Sequence, residues 1–313
     1  MKTNREDQQP LNRPRLKGNL SGFIFVLIFL VAMIQPAAAL TQTEPVRDPT
    51  VHDPISWQTL RPGLEFARIK AAGYCRMGSP FIGAVRINPE CFRFDIFSFK
   101  ESSPDSPLTV EEWQEKTKAV VVFNSGQYNK NERHIGLFYH RPRDFGMNLY
   151  AGWKALFVAE PDPLVRPLAD LIDTEFTPFD PDQTPYRLAV QSMMLLDANG
   201  KKRVRASDWV ANRTILATDK NQRILVLSTE GGYTLWELAE FLTRSDLNIK
   251  HAMSLDGGFQ AELCIRLNGF KYTTYGSYST QGEDNDHSIP GYHLALPAVV
   301  AVFDRPRCAQ ACR

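Results

Sequence analysis

Alternating and continuous apolar runs mark the strands of this chain. The segment FIGAVRINPECFRFDIFSF (81–99) alternates apolar and polar residues around an Asn-Pro pair, which predicts the two strands of a hairpin. The apolar run 119–123 predicts a buried strand. Residues 187–203 predict a strand that ends in an Asn-Gly turn, and residues 211–232 predict two strands around a polar turn at 219–222.

Helices are few, and each begins at a sequence cap. Thr109 with Glu112, and Thr234 with Glu237, form the Thr-x-x-Glu pattern of a capping box, so we predict a helix after each threonine. Apolar residues at helical spacing follow the second cap, and a strand is predicted at 252–255. The second helix is therefore flanked by two strands.

The remaining pattern settles the predicted fold class. The span 159–186 is rich in Pro, Asp and Thr and predicts a loop, whereas HLALPAVVAVF (293–303) predicts a closing core strand. Together these elements predict an α+β fold with a β-dominated mixed sheet and few helices. We expect one catalytic-type domain over residues 61–304.

The first 39 residues have the organisation of a secretory signal peptide. Basic residues precede the apolar run FIFVLIFLVAMI (23–34), and small residues follow at 37–39. This run rises only ~18 Å as a helix, against the ~30 Å hydrocarbon core of a bilayer. We therefore expect a secreted or periplasmic protein, with a linker or N-terminal arm at 40–60 and a cysteine-containing tail at 305–313. The alternative is an uncleaved signal anchor, which would be a contact with the membrane.

The composition limits the classes of partner that we expect for this chain. The formal net charge is +1, which favours neither nucleic acid nor an anionic membrane surface as a partner. All five cysteines follow the signal segment, where an oxidising compartment permits disulfides, and their odd number leaves at least one thiol unpaired within the chain. Cys75 with Cys91, and Cys308 with Cys312, are the closest pairs in sequence, but the connectivity stays open. The sequence pattern suggests no metal site.

One predicted strand ends in a carboxylate that is followed by two glycines, within HAMSLDGGFQAEL (251–263). Glycine permits backbone angles closed to other residues and leaves peptide N–H groups accessible to a ligand. Asp256 is therefore predicted to project into a crevice at a strand end, where a rigid scaffold presents functional loops. The plain alternative is an ordinary Asp-Gly turn, in which the carboxylate accepts local backbone hydrogen bonds.

Several segments, in a fixed order, resemble the phosphodiester glycosidase family. VVVFNSGQY (120–128) looks like the family's strand ending in Asn-Gly-Gly-Phe-Phe, and IGLFYH (135–140) looks like its Gly-Leu segment. VQSMMLLDANGK (190–201) is similar to its Gln-Ser-Gly-Pro strand and turn. Residues 212–242 are similar to its Arg-Thr strand, hairpin and helix, and AMSLDGGFQAEL (252–263) to its Leu-Asp-Gly-Gly-Gly-Ser-Ser signature.

The resemblance implies hydrolysis of a sugar whose anomeric carbon is linked to a phosphodiester, without a cofactor. The partner would be a carbohydrate or a sugar phosphate. Arg213 is the candidate phosphate ligand, because its guanidinium is permanently charged and bidentate. Asp256 is the candidate base, nucleophile or hydroxyl anchor, and Asn124 is expected to orient a hydroxyl. The amides of Gly257 and Gly258 are expected to add hydrogen-bond donors.

Four further residues are predicted to belong to the substrate site. Gln260 supplies both a donor and an acceptor, and Gly126 and Gln191 lie in the matched segments. Glu230, just before another Gly-Gly pair, is the reserve acid for Asp256. Structural alternatives stay open for three of the candidates: Arg213 also fits a surface ion pair, Asn124 a plain turn residue and Glu230 a loop residue.

The chain departs from the family pattern at three places. At 125–128 only one glycine of Gly-Gly-Phe-Phe is kept, at 193–194 two methionines stand where Gly-Pro is usual, and at 259–261 Phe-Gln-Ala replaces Gly-Ser-Ser. The last change removes two hydroxyls. It supports an alternative interpretation, a non-catalytic module that binds polysaccharide or sugar phosphate in envelope or exopolysaccharide biogenesis. A structural envelope protein is a third interpretation.

Overall fold

The computed structural model of the chain describes residues 54–102, 106–143, 148–281 and 293–306. All of them belong to the unit Asp48–Arg313. The predicted signal peptide, residues 40–53 of the predicted arm and the cysteines Cys308 and Cys312 lie outside the described residues. None of the described helices is both long and apolar enough to cross a membrane.

Strands dominate the described residues, as predicted. The strands are β1 Gln58–Arg61, β2 Leu64–Lys70, β3 Met77–Ile87, β4 Phe92–Ser98, β5 Val121–Asn124, β6 Phe138–His140, β7 Ala155–Pro161, β8 Ala169–Asp173, β9 Tyr186–Leu196, β10 Arg213–Asp219, β11 Ile224–Gly232, β12 Ile249–Gly257, β13 Leu263–Leu267, β14 Phe270–Thr274 and β15 Ala298–Asp304. The helices are α1 Phe99–Ser102, α2 Val110–Thr117 and α3 Leu235–Arg244, with a single 3-10 turn at Gly258–Gln260.

Two sheets enclose the main core. The larger has the order β1-β2-β3-β11-β10-β12-β9-β7-β8, with β6 paired to β9, and the smaller has the order β14-β13-β5-β15-β4. Their facing surfaces share one apolar cluster that includes Val226, Met253 and Leu255 from the larger sheet and Phe123 and Val300 from the smaller. Helix α3 packs on the outer face of the larger sheet, and α2 covers the outer face of the smaller one.

The predicted α+β class and its strand dominance are confirmed, but the sheet is not mixed. Every pair between the named strands is antiparallel. The two strands of the unit β11-α3-β12 run in the same direction. However, β10 lies between them and pairs antiparallel with both, so each of the two keeps an antiparallel neighbour.

The hairpin predicted at 81–99 is wrong. Strand β3 pairs with β2 and β11 in the larger sheet, whereas β4 pairs with β15 in the smaller sheet. The Asn-Pro pair is therefore a corner at which the chain changes sheet. Alternation predicted both strands correctly, but it carried no information about which strand becomes the neighbour.

Other local predictions have mixed outcomes. The hairpin of β10 and β11 and the strand β12 are confirmed, but the loop predicted at 159–186 contains β8. Thr109 and Thr234 both cap helices, and the reciprocal capping box forms at Thr109. Strand β1 begins within the predicted arm and pairs with β2. Cys75 is a free thiol, so it forms no bridge with Cys91.

Candidate active site

Three strand ends from the two sheets meet at one place. Strand β5 of the smaller sheet ends at Asn124, while β10 begins at Arg213 and β12 ends at Gly257 in the larger sheet. Arg213 and Gly257 are opposite each other in the ladder of β10 and β12. The side-chain amide of Asn124 donates to the backbone oxygen of Asp256 at 3.1 Å and so joins the two sheets. The three predicted catalytic residues are therefore brought together.

The carboxyl group of Asp256 is held by main-chain amides. Its Oδ2 accepts from Tyr128 N at 3.2 Å and its Oδ1 accepts from Gly257 N at 3.0 Å. Each oxygen thus has one main-chain donor, and the remaining lone pairs are available for a ligand. Burial raises the pKa of this carboxyl to about 7, against the lowering effects of the two amides and of the Arg213 charge. The group can exchange a proton near neutral pH.

Arg213 is a buried cation held by carbonyl oxygens. Only 2% of the surface of this residue is exposed to solvent. Nε donates to Tyr233 O at 3.2 Å, Nη2 donates to Trp209 O at 2.9 Å, and the guanidinium carbon lies 4.8 Å from the centre of the Trp209 ring. Burial lowers the pKa of the guanidinium to about 10, and the nearby Asp256 charge opposes this. Among the described residues no carboxylate forms an ion pair with Arg213, so the position favours an anion from outside the chain.

Gly257 and Gly258 determine the backbone shape of the site and leave room for the Arg213 side chain. A Cβ on Gly257 would lie 2.9 Å from Arg213 Nη1 and 2.9 Å from Asn212 O, so any side chain here would displace the guanidinium. Gly258 has a φ of +63° in the left-handed region, and its N–H donates to Asn212 O at 2.9 Å. Because the Gly257 N–H is bonded to Asp256, both predicted substrate donors are already used within the protein.

Asn124 supports Asp256 from within the protein, and its Oδ1 has no hydrogen-bond partner among the described residues. It is fully buried, its Nδ2 is bonded to Asp256 O, and its backbone N–H donates to Glu262 O at 3.4 Å. Gly126 has a similar role, since its carbonyl accepts from Asp256 N at 3.0 Å. A Cβ on Gly126 would lie 2.1 Å from His134 Nε2. Burial lowers the pKa of His134 to about 4, so this ring is neutral at physiological pH.

Gln191 is buried and its amide is fully used. Its Oε1 accepts from Leu137 N at 3.0 Å and from Tyr150 N at 2.8 Å, and its Nε2 donates to Tyr150 O and Trp153 O, both at 2.9 Å. Its structural role is to fix the loop that carries Tyr150 and Trp153. Gln191 therefore acts on the substrate site only through that loop.

Glu230 lies apart from Asp256, whereas Gln260 lies near it. Glu230 makes a two-pronged ion pair with Arg68 at 2.6 Å and accepts from Ser79 and Tyr272, and the Arg68 hydrogen bond lowers its pKa. These contacts hold Glu230 in an ion pair on strand β11. No hydrogen bond joins Glu230 to Asp256 among the described residues, although Glu230 was predicted to be its reserve partner. Gln260 ends the 3-10 turn after Gly257, is partly exposed, and has a side-chain amide without a hydrogen bond to any described residue.

A cavity of about 580 Å³ opens beside Arg213, and the sequence did not point to most of its walls. Its lining residues include Trp153, Lys154, Met193, Arg205, Trp209 and Arg213. The segment KKRVRASDWVANR (201–213), with its basic residues and its tryptophan just before Arg213, was a signal that sequence reasoning did not use. The cavity gives the otherwise buried arginine a route to a ligand.

Glu262 is a buried acid close to the site that the sequence did not reveal. It is fully buried and neighbours Asn124 across the pair of β5 and the start of β13. Burial, followed by the charge of Glu111, raises the pKa of Glu262 to about 9. In the segment FQAEL a glutamate near a turn is typical of a solvated surface, so the local sequence does not indicate its burial.

The model of the phosphodiester glycosidase family matches residues 117–291, which is more than half of the chain. The chain belongs to the phosphodiester glycosidase family. The resemblance inferred from the ordered segments is thereby confirmed, and strands β5 to β14, with the three converging residues, lie within the matched region.

Solved structures agree on the fold. The auto-inhibited catalytic domain of zebrafish N-acetylglucosamine-1-phosphodiester alpha-N-acetylglucosaminidase is similar, with a TM-score of 0.54 and 16% identity, over 82% of this chain and 88% of that chain. A hypothetical protein from Synechocystis has a TM-score of 0.51 and 13% identity, over 81% of this chain and 64% of that chain. No curated protein sequence matches the chain. At these identities the likeness concerns the fold alone.

The pKa of Asp256 predicts a dependence of stability on pH. Because the folded pKa is raised from 3.8 to about 7, the folded state binds this proton more tightly than the unfolded chain does. The stability contributed by the group is fully present below pH 3.8 and is lost as the pH rises through 7. Relative to Asp256→Asn, the free energy of unfolding of the wild type should fall between pH 5 and 7 by at most about 1.4 kcal/mol per pH unit.

Urea denaturation of both proteins at several pH values measures this difference. The same pair in a Glu262→Gln background separates the two acids, since the raised pKa of Glu262 acts in an overlapping range up to about 9. The exposed Asp246→Asn is the matched control and should run parallel to the wild type. Parallel curves for Asp256→Asn as well would contradict a raised pKa at Asp256.

Proposed function

We propose that this family member is a secreted or periplasmic hydrolase that removes a sugar from a phosphodiester-linked glycan, in an envelope or an exported polysaccharide. One observation carries the proposal: the buried Arg213 cation, without a described ion-pair partner, lies beside a carboxyl group whose pKa is about 7. The first group suits the phosphate, and the second suits proton transfer at the sugar. The family match supports the same chemistry.

In the proposed reaction Arg213 binds the phosphodiester and Asp256 acts at the anomeric carbon. The bond between that carbon and the phosphate oxygen breaks, and its electron pair leaves with the phosphate. Water attacks the carbon and gives its proton to the ionised Asp256. A phosphate leaving group needs little help from a general acid, so a second carboxylate is not required. The guanidinium stabilises the charge that develops on the leaving group.

The proposed location rests on the N-terminal sequence pattern. We also propose that the mature protein contains a disulfide between Cys91 and a tail cysteine, Cys308 or Cys312. Arg305 supports this, because its backbone N–H donates to Cys91 O at 2.8 Å and its Nε donates to Phe92 O at 3.0 Å. The chain therefore enters the tail beside Cys91.

A binding module is the second candidate function. It is favoured by residues 257–261, where both glycine amides are used internally and no hydroxyl follows them. Such a module would keep the anion site at Arg213 without turnover. Ligand binding without hydrolysis would distinguish it from the enzyme.

Hydrolysis of model sugar-1-phosphodiesters by the mature protein tests the proposal. Asp256→Asn should lower kcat/KM by about 10²- to 10⁴-fold, because it removes the proton acceptor. Arg213→Lys keeps the charge but loses the planar fork, so KM should rise by at least about tenfold. Asp246→Asn should match the wild type, and circular dichroism confirms that each variant is folded. Full activity of folded Asp256→Asn would refute the assigned role.

The pH–rate profile gives an independent prediction. If ionised Asp256 accepts the proton from water, kcat/KM should rise with pH through an apparent pKa of about 7 and then level off. The residual activity of Asp256→Asn should lack this step. A wild-type profile that falls through the same range would mean that the protonated form of the carboxyl group is the active one.

A further inference from the structure

The cavity beside Arg213 carries more positive charge than one phosphodiester requires. Its walls include the cations Lys154, Arg203, Arg205 and Arg213 and one carboxylate, Glu175. The whole chain has a formal net charge of only +1, so this concentration is local. A cavity lined by one sign of charge attracts ligands of the opposite sign.

Arg203 is neutralised within the protein. It donates to Asp173 at 2.9 Å, lies 3.6 Å from Asp197 and forms an ion pair with Glu175. These contacts also occupy the one carboxylate in the wall of the cavity. Arg203 and Glu175 therefore form a structural cluster, and the described walls of the cavity hold no second carboxylate to pair with Lys154 or Arg205.

Lys154 and Arg205 differ from Arg203 in this respect. Neither side chain forms an ion pair or a hydrogen bond with a residue in the part of the chain that the structure describes. Arg205 is exposed and Lys154 is partly exposed, whereas Arg213 is buried. The cavity thus has one deep cation and two outer cations.

The walls between these charges are apolar and held in place. Trp153 lies on the loop that Gln191 fixes through two carbonyl hydrogen bonds, and Trp209 Nε1 donates to Ser279 Oγ at 3.1 Å. Met193 adds a flexible apolar surface. Flat aromatic and apolar walls with a few convergent charges are typical of a small-molecule site.

We infer that Lys154 and Arg205 bind a second anionic group of the substrate, on the side of the phosphodiester away from the sugar that is released. The inference rests on the proposed function, in which Arg213 holds the phosphodiester. The second group is a phosphate or a carboxylate, since both accept from ammonium and guanidinium donors. The substrate class is then an acidic glycan rather than a neutral one.

Binding of non-cleavable sugar phosphonates tests the inference without requiring turnover. Three analogues share the sugar and the phosphonate and differ in the aglycone, which carries a hydroxyl, a phosphate or a carboxylate. Calorimetry on the wild type should show at least about tenfold tighter binding of one or both anionic analogues than of the hydroxyl analogue. The preferred analogue identifies which anion the site takes.

The double variant Lys154→Gln/Arg205→Gln should bring the affinities of the three analogues together. The control Lys220→Gln/Lys271→Gln removes the same charge at exposed positions outside the cavity walls, and it should keep the preference. Equal affinities in the wild type, or an equal loss in both double variants, would overturn the inference. Failure of the proposed function would show differently, as absent hydrolysis of cleavable substrates with the binding preference intact.

Discussion

The site depends on two opposite charges, the buried Arg213 and the partly buried Asp256, that lie close together without forming an ion pair. A buried guanidinium is costly unless its N–H groups and its charge are both compensated. Two carbonyl oxygens satisfy two of the Arg213 N–H groups, and Asp256 compensates the charge only in part, because burial holds its pKa at about 7. In the proposed function, an incoming phosphodiester would compensate the positive charge that remains on Arg213.

The surrounding residues hold the Arg213 guanidinium and the Asp256 carboxyl group in this arrangement. Gly257 leaves room for the guanidinium, and the main-chain amides of Gly257 and Tyr128 orient the carboxyl group. Asn124, the last residue of strand β5 in the smaller sheet, is bonded to the backbone of Asp256. The packing of the two sheets therefore fixes the position of the acid. The core between the sheets is therefore also the support of the candidate site.

Local sequence patterns predicted most strands and the position of Asp256, but they did not predict the contacts between distant segments. Period-two alternation predicted the strands at 81–99, but a corner and a hairpin turn have the same sequence signature, so the change of sheet was missed. The strand-end position of Asp256 was predicted, because a buried strand followed by two glycines must end there. The use of the Gly258 amide by Asn212 depends on contacts between distant segments, which no local pattern encodes. Lys154 was invisible for the same reason, since it reaches the cavity through the loop fixed by Gln191.

A crystal structure with a bound non-cleavable sugar phosphonate would show which residues hold the phosphodiester and the sugar. We expect phosphonate oxygens within hydrogen-bond distance of the Arg213 guanidinium and the anomeric carbon facing the Asp256 carboxyl group. A phosphonate bound elsewhere, with Arg213 still bonded only to the carbonyls of Trp209 and Tyr233, would contradict this expectation.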